Sequence, residues 1–310
     1  MASTGEDQFN GRWDITVKGE NVPRAWWLEI SGAGTENAKG KFVGAPGAQI
    51  DDIRSLSLYD GELRFTLEKR YRHDPRPSPR DQKAVQKGLY YARIDQGKLK
   101  GTFEVAGEPD TYLEWIGVRA PVINEKDDGT WKRGEAVNLF DGKDLAGWSQ
   151  LGTSRTPWVI KQGILTGGPG APDLTSDRKF WNFTLHAEFR IGPGATSGIG
   201  LRGRYEVHIA DDIGRPPSVF GNGAVYGRIA PVINASREPG DWQTFDIRLV
   251  GRQVTVLVNG VKVVDRQTIE GLTATAIDAN EGDPGPIVIQ GDHGTVEFRR
   301  IVISPLTKTP

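Results

Sequence analysis

The 310-residue sequence has no cysteine, a single methionine and no long apolar run. Without cysteine there can be no disulfide, no thiolate nucleophile and no zinc–thiolate site. None of the apolar stretches approaches the ~20 residues that a helix needs to span a bilayer. The formal net charge of −1 gives no general reason to expect nucleic acid or an acidic membrane surface as a partner. These absences leave a globular chain that is long enough for two domains with separate cores.

Glycine and proline are abundant, at 40 and 19 residues, and no long stretch shows a helical period. This composition predicts an all-β protein with many short strands joined by tight turns. An N-terminal domain is predicted over residues 1–120, with strands at 11–17, 25–30, 40–44, 55–68, 88–105 and 111–118. Local connections between these strands favour a small β-barrel or meander. Its core is expected to contain four tryptophans, namely Trp13, Trp26, Trp27 and Trp115.

The segment 70–87 is rich in proline and charge, which predicts an exposed loop with a short helical end. A site for an anionic polymer is the alternative interpretation of this segment. A polar stretch at 121–136 is predicted to be a linker. Residues 137–310 are predicted to form a second domain, a two-sheet antiparallel sandwich of jelly-roll type. The Asn259–Gly260 pair marks one of its hairpin turns, because both turn positions require positive φ.

The stretch SGIGLRGRYEVH at 197–208 has two alternating faces of different character. The apolar parity, continued one residue further, consists of Ile199, Leu201, Tyr205, Val207 and Ile209. The polar parity consists of Arg202, Arg204, Glu206 and His208. A period of two predicts one half-buried strand over 197–210. Two guanidinium groups, a carboxylate and an imidazole in one row could hold a polar ligand and move a proton.

Several motifs of the second region occur together, in order, in one known family. They are LFDGKDLAGW (139–148), Trp158 with GIL (163–165), NFTLHAEFR (182–190), TSGIGLR (196–202), YEVHIAD (205–211), GAVYG (223–227), DWQTFDI (241–247), VNG (258–260) and IQGDHGTVEFRRI (289–301). From Val137 to about Leu306 the chain thus resembles the 3-keto-disaccharide hydrolase domain family, which has a concanavalin-like jelly-roll fold. The family usually has Asn, Gln and Asn where this chain has Thr196, His208 and Arg300. The N-terminal region is similar to a β-module found ahead of this family, which ends in a W-x-G-V-R-A-P sequence (115–121).

The resemblance implies a sugar substrate that is already oxidised at C3. A ketone at C3 acidifies the C2 hydrogen, so that a base can remove it and form an enolate. Collapse of the enolate expels the glycosidic oxygen from C1, and water then adds to the unsaturated sugar. This route needs a base near C2, a donor near the C3 oxygen and an acid for the leaving oxygen. It needs neither a nucleophile at C1 nor the paired carboxylates of ordinary glycosidases.

The resemblance and the residue chemistry together suggest two groups of site residues. The acid–base candidates are Glu206, His208 and His293. The substrate-binding candidates are Arg202, Tyr226, Gln290, Trp158 and Asp211. Several have structural alternatives: an ion pair between Glu206 and a nearby arginine, a turn-capping role for His293, a structural role for His208, and a core position for the aromatic residues. An imidazole suits acid–base work because its unperturbed pKa, about 6.5, lies near neutrality.

No metal ligand set is assigned, but Asp211 and Asp212 together with Glu206 and His208 could supply ligands to a divalent cation. We therefore expect a bacterial enzyme that cleaves 3-keto-glycosides, with a small carbohydrate as its partner. A non-catalytic carbohydrate-binding protein and a direct hydrolase of unoxidised glycans are the alternatives. The first residues, MASTGEDQFNG, lack the basic and apolar segments of a signal peptide. A periplasmic or secreted location is expected if a leader has been removed, and the cytoplasm is the alternative.

Overall fold

A computed structural model describes residues 5–18, 24–44, 49–69, 85–152, 154 and 156–308. Within these residues the only helical element is a 3-10 turn at Asp7–Phe9, and all other regular structure is β. None of them forms a helix long and apolar enough to cross a bilayer. The chain divides into two compact units: Met1–Pro121 with Ile277–Glu281, and Val122–Ala276 with Gly282–Pro310. Most of the predicted loop at 70–87, namely 70–84, lies outside the described residues.

The first unit is a single antiparallel sheet of nine strands. The strands are β1 (Gly11–Val17), β2 (Ala25–Ser31), β3 (Lys39–Val43), β4 (Asp51–Ile53), β5 (Ser55–Tyr59), β6 (Glu62–Lys69), β7 (Gln86–Asp95), β8 (Lys98–Val105) and β9 (Glu108–Arg119). They follow the order β4-β3-β2-β1-β9-β8-β7-β6-β5, so nearly every strand pairs with its neighbour in sequence. Strand β4 also approaches β6, which brings the sheet close to closure. The predicted meander or small barrel is confirmed.

Aromatic side chains fill the interior of this sheet. Trp13, Trp26, Trp27 and Trp115 are at most 1% exposed, as their predicted core role requires. The rings of Phe65 and Tyr90 stack with centroids 4.5 Å apart. Trp115 packs against Gly101, where a Cβ atom would come within 2.2 Å of the indole. Glycine at that position therefore lets the large ring pack directly on the neighbouring strand.

The second unit is a sandwich of two antiparallel sheets. Its strands are β10 (Trp131–Arg133), β11 (Val137–Phe140), β12 (Trp148–Leu151), β13 (Val159–Lys161), β14 (Ile164–Gly167), β15 (Asp173–Phe180), β16 (Phe183–Ile191), β17 (Thr196–Leu201), β18 (Tyr205–Ala210), β19 (Gln243–Val250), β20 (Gln253–Val258), β21 (Val261–Thr268), β22 (Gly285–Ile289) and β23 (Val296–Lys308). The larger sheet runs β13-β14-β23-β16-β19-β20-β21, with β10 and β11 also pairing with β23. The smaller sheet runs β12-β15-β22-β17-β18. The predicted all-β sandwich is confirmed.

A single apolar cluster fills the space between the two sheets. On β16, buried and half-buried residues alternate strictly, so that Phe183, Leu185 and Phe189 point into the core. Strand β18 differs, because all six of its residues are buried. Its inward residues lie in the core, whereas its outward residues Glu206 and His208 are covered on the other face of the smaller sheet. Buried polar side chains on the outer face of a sheet are shielded from bulk water, and a ligand site can form beside them.

The predicted single strand over 197–210 is in fact a hairpin of β17 and β18. Leu201 pairs with Tyr205, and the three residues between them form the turn. Arg202 and Gly203 have positive φ values of 56° and 69°, which reverse the chain. A three-residue turn preserves the odd–even parity of the two strands, so the alternation in the sequence does not reveal it. Part of the predicted linker, Trp131–Arg133, pairs with β23 as strand β10.

Candidate functional site

The outer face of the smaller sheet brings Glu206 opposite two glycines. In the strand register, Glu206 lies across from Gly200 and His208 lies across from Gly198. Gly200 in turn pairs with Val288 on β22. Because side chains of one parity share one face, the glycines leave the carboxylate and the imidazole beside an open strip of backbone. This backbone, at Gly198 and Gly200, lines one side of a cleft.

We call this space the glycine cleft. It is lined by Asp173, Gly198, Gly200, Gly203, Glu206, Thr275, Val288 and Gln290, and its volume is about 10 Å³. A Cβ atom on Gly198 would come within 2.5 Å of Oε1 of Glu206, and one on Gly200 within 2.9 Å of Cβ of Val288. Only glycine at these two positions leaves the Glu206 carboxylate and Val288 undisturbed. The described space accommodates about one water molecule.

Glu206 and His208 form a buried pair beside the cleft. Nδ1 of His208 lies 2.8 Å from Oε1 of Glu206, and His208 and Glu206 are 6% and 3% exposed respectively. An ionised carboxylate can only accept, so Nδ1 carries the proton in this bond and Nε2 of a neutral imidazole is left as an acceptor. The second carboxylate oxygen, Oε2, is buried and has no hydrogen-bond partner among the described residues. A buried carboxylate oxygen without a partner is costly, which points to a bound group that completes it.

Tyr226 approaches the pair from an extra edge segment beside β18. Val225 forms an isolated bridge with Val207, and the Tyr226 amide donates to the carbonyl of Glu206 at 3.0 Å. The Tyr226 ring centroid lies 4.6 Å from that of His208. Burial, and secondarily the charge of Glu206, raise the pKa of Tyr226 to about 12. The phenol therefore keeps its proton at neutral pH and can serve as a hydrogen-bond donor.

Gln290 and His293 come from the chain that leaves β22. The Gln290 amide donates to the carbonyl of Gly198 at 3.0 Å, and its side chain lines the glycine cleft. His293 lies three residues further on, where its carbonyl accepts from the Thr196 amide at 2.9 Å. Its Nδ1 is 2.8 Å from the carbonyl of Gly291, and the residue is exposed. His293 thus lies beside the start of β17, beyond Gln290, and does not line the cleft.

The family model for the 3-keto-alpha-glucoside-1,2-lyase-like domain matches residues 135–304. The chain belongs to this family. A curated relative, the 3-keto-disaccharide hydrolase of Bacteroides thetaiotaomicron, is 36% identical over 74 residues, which are 20% of this chain and 26% of the relative. The match therefore spans about a quarter of that relative's length.

Two solved structures from Parabacteroides distasonis are similar to this chain. One, a candidate glycosyl hydrolase, is 30% identical and has a TM-score of 0.49, with 60% of this chain and 92% of that one covered. A second candidate glycosyl hydrolase from the same organism is 20% identical and has a TM-score of 0.47, with 56% of this chain and 94% of that one covered.

In this family member Arg202 lies apart from the glycine cleft. Its Nε donates to the carbonyl of Trp181 at 2.7 Å, and Nη2 donates to the carbonyl of Gly251 at 2.8 Å and to Oδ1 of Asn182 at 3.1 Å. The guanidinium carbon lies 3.7 Å from the centre of the Trp181 ring, and the residue is fully buried. None of these partners lines the cleft. The prediction that Arg202 and Glu206 lie on the same face of one strand is wrong, because the chain turns at Arg202.

Trp158 and Asp211 also lie outside the cleft lining. Trp158 is a core residue whose indole donates to the carbonyl of Pro172 at 2.8 Å, in line with the structural alternative. Oδ2 of Asp211 accepts from the Gly194 amide at 2.8 Å. Asp212 accepts from the Asn222 amide at 2.9 Å and from Ser236 at 2.6 Å. Across the ranges described above, no three His, Asp or Glu side chains are grouped as a metal site.

The structure adds three residues that the sequence analysis missed. Asp173 and Thr275 line the glycine cleft. Oγ1 of Thr273 accepts from the Glu206 amide at 3.2 Å. Both threonines come from the irregular segment between β21 and β22, where Thr273 bonds the backbone of Arg204 and Glu206 and Thr275 reaches the cleft. No periodic pattern marks this segment in the sequence, so the local signals used for strands could not identify it.

Proposed function

We propose that this protein cleaves 3-keto-glycosides by removing the C2 proton, eliminating the aglycone and hydrating the product. The observation that carries the proposal is the buried Glu206 carboxylate, which lines the glycine cleft. One of its oxygens is hydrogen-bonded to His208, and the other has no partner in the part of the chain that the structure describes. Such a group is already desolvated and oriented, as a base acting on carbon must be. Family membership and the name of the curated relative support the 3-keto substrate class.

Each residue then has a defined step. Oε2 of Glu206 takes the C2 proton, and the electron pair of that bond moves into the enolate at C3. The enolate collapses to form a C1–C2 double bond, and the C1–O bond breaks. The leaving oxygen takes a proton from an acid, for which His293 at the end of the sheet is the candidate. Water then supplies hydroxide to C1 and a proton to C2, so that the net reaction is hydrolysis.

The other residues hold the sugar and the base in place. His208 acts through Glu206, since its Nδ1 bond fixes one carboxylate oxygen and so directs the other. Tyr226, whose phenol stays protonated, and Gln290 are suited to donate to the C3 oxygen or to neighbouring hydroxyls. Arg202 has no part in this scheme because it serves the hairpin turn.

A pyranose ring is much larger than the space of about 10 Å³ that the described structure contains. The proposal therefore includes a displacement of the segment that carries Thr273 and Thr275, because Thr275 lines the cleft and Thr273 bonds the backbone of Glu206. Movements of such segments during substrate binding are common in enzymes. A small carbohydrate is the expected partner, and an exported location remains the expectation from the sequence.

The proposal is tested by incubating the protein with a 3-keto-glucoside in deuterated water. We expect deuterium at C2 of the released sugar, and we expect Glu206→Gln to lower turnover by ~10²-fold or more, the usual scale of acid–base assistance. Glu238→Gln, at an exposed carboxylate outside the cleft, is the matched control and should retain full activity. Product without deuterium would reject the mechanism.

Two further measurements, sugar affinity and turnover of an unoxidised disaccharide, separate the two alternative functions. A carbohydrate-binding protein would show no turnover, and its sugar affinity would be nearly the same in Glu206→Gln. A direct hydrolase would cleave unoxidised disaccharides at least as fast as their 3-keto forms. Either result would replace the proposed function.

A further inference from the structure

The larger sheet has a second groove on the side of the sandwich opposite the glycine cleft. Its volume is about 450 Å³, within the range of small-molecule sites. It is lined by Arg133, Thr184, Leu185, His186, Asp246, Ile247, Arg248, Thr255, Leu257, Arg300, Val302 and Ser304. These residues come from β10, β16, β19, β20 and β23, and we call the space the arginine groove. No step of the proposed reaction uses it.

The charges along the arginine groove are unbalanced. Three arginines line it against the single carboxylate of Asp246. Arg248 is held by Asp127, with nitrogen–oxygen distances of 2.7 and 2.9 Å. Arg133 and Arg300 are exposed, and within the described ranges neither side chain has an ion pair or a hydrogen bond. Two guanidinium groups are therefore available for an anion from outside the protein.

The middle of the groove holds a fixed polar pair. Nδ1 of His186 lies 2.7 Å from Oδ1 of Asp246, its partner in the strand register. Its Nε2 lies 3.6 Å from Oε1 of Glu188, which is itself bonded to Arg299. The imidazole is therefore held in one orientation, at a side-chain exposure of 34%. A rigid and partly exposed polar pair is a suitable partner for hydroxyl groups.

The remaining lining resembles a surface for an extended polar molecule. Thr184, Thr255 and Ser304 contribute hydroxyls, while Leu257 and Val302 contribute apolar area. The groove crosses the four adjacent strands β20, β19, β16 and β23, a width of about 15 Å at the usual strand spacing. A single small anion would contact only a fraction of that width. A chain of sugar rings, with both hydroxyls and apolar faces, can contact all of it.

We propose that the arginine groove binds an acidic oligosaccharide, with its carboxylates on Arg133 and Arg300 and its hydroxyls near His186 and Asp246. The groove would hold a charged glycan on one face of the domain while the glycine cleft lies on the other. This proposal is independent of the proposed catalytic function.

The test is calorimetric titration of the full protein with oligogalacturonate, with neutral maltooligosaccharide, polyglutamate and inorganic phosphate as comparison ligands. We expect oligogalacturonate alone to bind, with an affinity that falls as salt is added. Arg300→Asn and Arg133→Gln should each weaken binding by at least about tenfold, the loss expected for one charge-assisted hydrogen bond. Lys262→Gln, at an exposed cation on β21 outside the groove, and Glu206→Gln should bind as the parent does.

Several results would overturn the proposal. They are the absence of oligogalacturonate binding, equal binding by the arginine variants, and equally tight binding of maltooligosaccharide. Phosphate binding of equal strength would reduce the groove to a small-anion site, and polyglutamate binding of equal strength would make it a general acidic-polymer surface. Because both arginines are exposed, their variants should unfold at the parent's temperature, and a melting curve verifies this for each protein.

Discussion

At the scale of single residues, the burial of Glu206 is costly to the second unit, because the residue is 3% exposed. A carboxylate loses several kcal/mol of hydration when it is buried, and one hydrogen bond from His208 offsets only part of that loss. A fold selected for stability alone would have placed an amide or an apolar residue here. The cost is understandable if the carboxylate must be free of water when the sugar arrives.

Gly198 offers a test of the site at the same scale. Gly198→Ala should displace the Glu206 carboxylate, because the new Cβ would lie 2.5 Å from Oε1. We expect a loss of turnover of ~10²-fold, similar to removal of the base itself. Gly168→Ala is the matched control, since Gly168 has ordinary φ and a Cβ atom added there would have no neighbour within 4 Å. Full activity of Gly198→Ala on 3-keto-glucosides would argue against a site at this glycine.

At the scale of elements, the β17–β18 hairpin carries Glu206 and is held in place by Arg202. Its guanidinium joins the turn to the carbonyls of Trp181 and Gly251 and to the side chain of Asn182. These partners lie before β16 and after β19, so the arginine ties the smaller sheet to the ends of two strands of the larger one. The orientation of the catalytic candidates therefore depends on a residue that does not touch the cleft.

Arg202→Met tests this structural role. The substitution keeps most of the volume but leaves the carbonyls of Trp181 and Gly251 without this donor and removes one of two donors to Oδ1 of Asn182, at a cost of about 3 kcal/mol or more. We expect the urea concentration at which half of the second unit is unfolded to fall. Tryptophan fluorescence measured against urea concentration gives this midpoint. Arg215→Met, at an exposed arginine, should have little effect. A variant with parental stability and a raised KM would instead restore the substrate-binding role.

At the scale of the whole molecule, the chain contains two separate apolar cores. One cluster runs through the nine-stranded sheet of the first unit, and the other fills the sandwich of the second. Each core is large enough to support its own cooperative unfolding. The division into residues 1–120, a linker at 121–136 and residues 137–310 stays a prediction, and Trp131–Arg133 within that linker pairs with β23.

Scanning calorimetry can test whether the two cores unfold separately. Phe103→Ala in the first core and Leu185→Ala in the second should each remove about 3 kcal/mol from one unit. We expect two transitions, with each variant lowering one midpoint and leaving the other in place. One shared transition that moves in both variants would contradict independent domains.

Several candidate site residues could be predicted from local sequence patterns. The predictions failed where a turn or an irregular segment leaves no trace in such a pattern. The alternation at 205–210 correctly placed Glu206 and His208 on one face, because two residues per period is a local property of a strand. The same alternation extended the strand through Arg202, because a three-residue turn leaves the parity unchanged. The Gly-rich segment at 223–227 brings Tyr226 to His208, a contact that the sequence did not predict. No local sequence pattern indicated that Thr273 and Thr275 lie near Glu206.

The sequence by itself determined the all-β class, the two apolar cores and the family, because composition, short-range alternation and ordered motifs are readable without coordinates. Only the tertiary structure decided that Glu206 faces Gly198 and Gly200, that Arg202 turns away, and that Arg133 and Arg300 share a groove. These relations depend on strand register and turn geometry, which join residues far apart in the chain. A register shift of one residue would move every such side chain to the other face, and local sequence alone does not specify it.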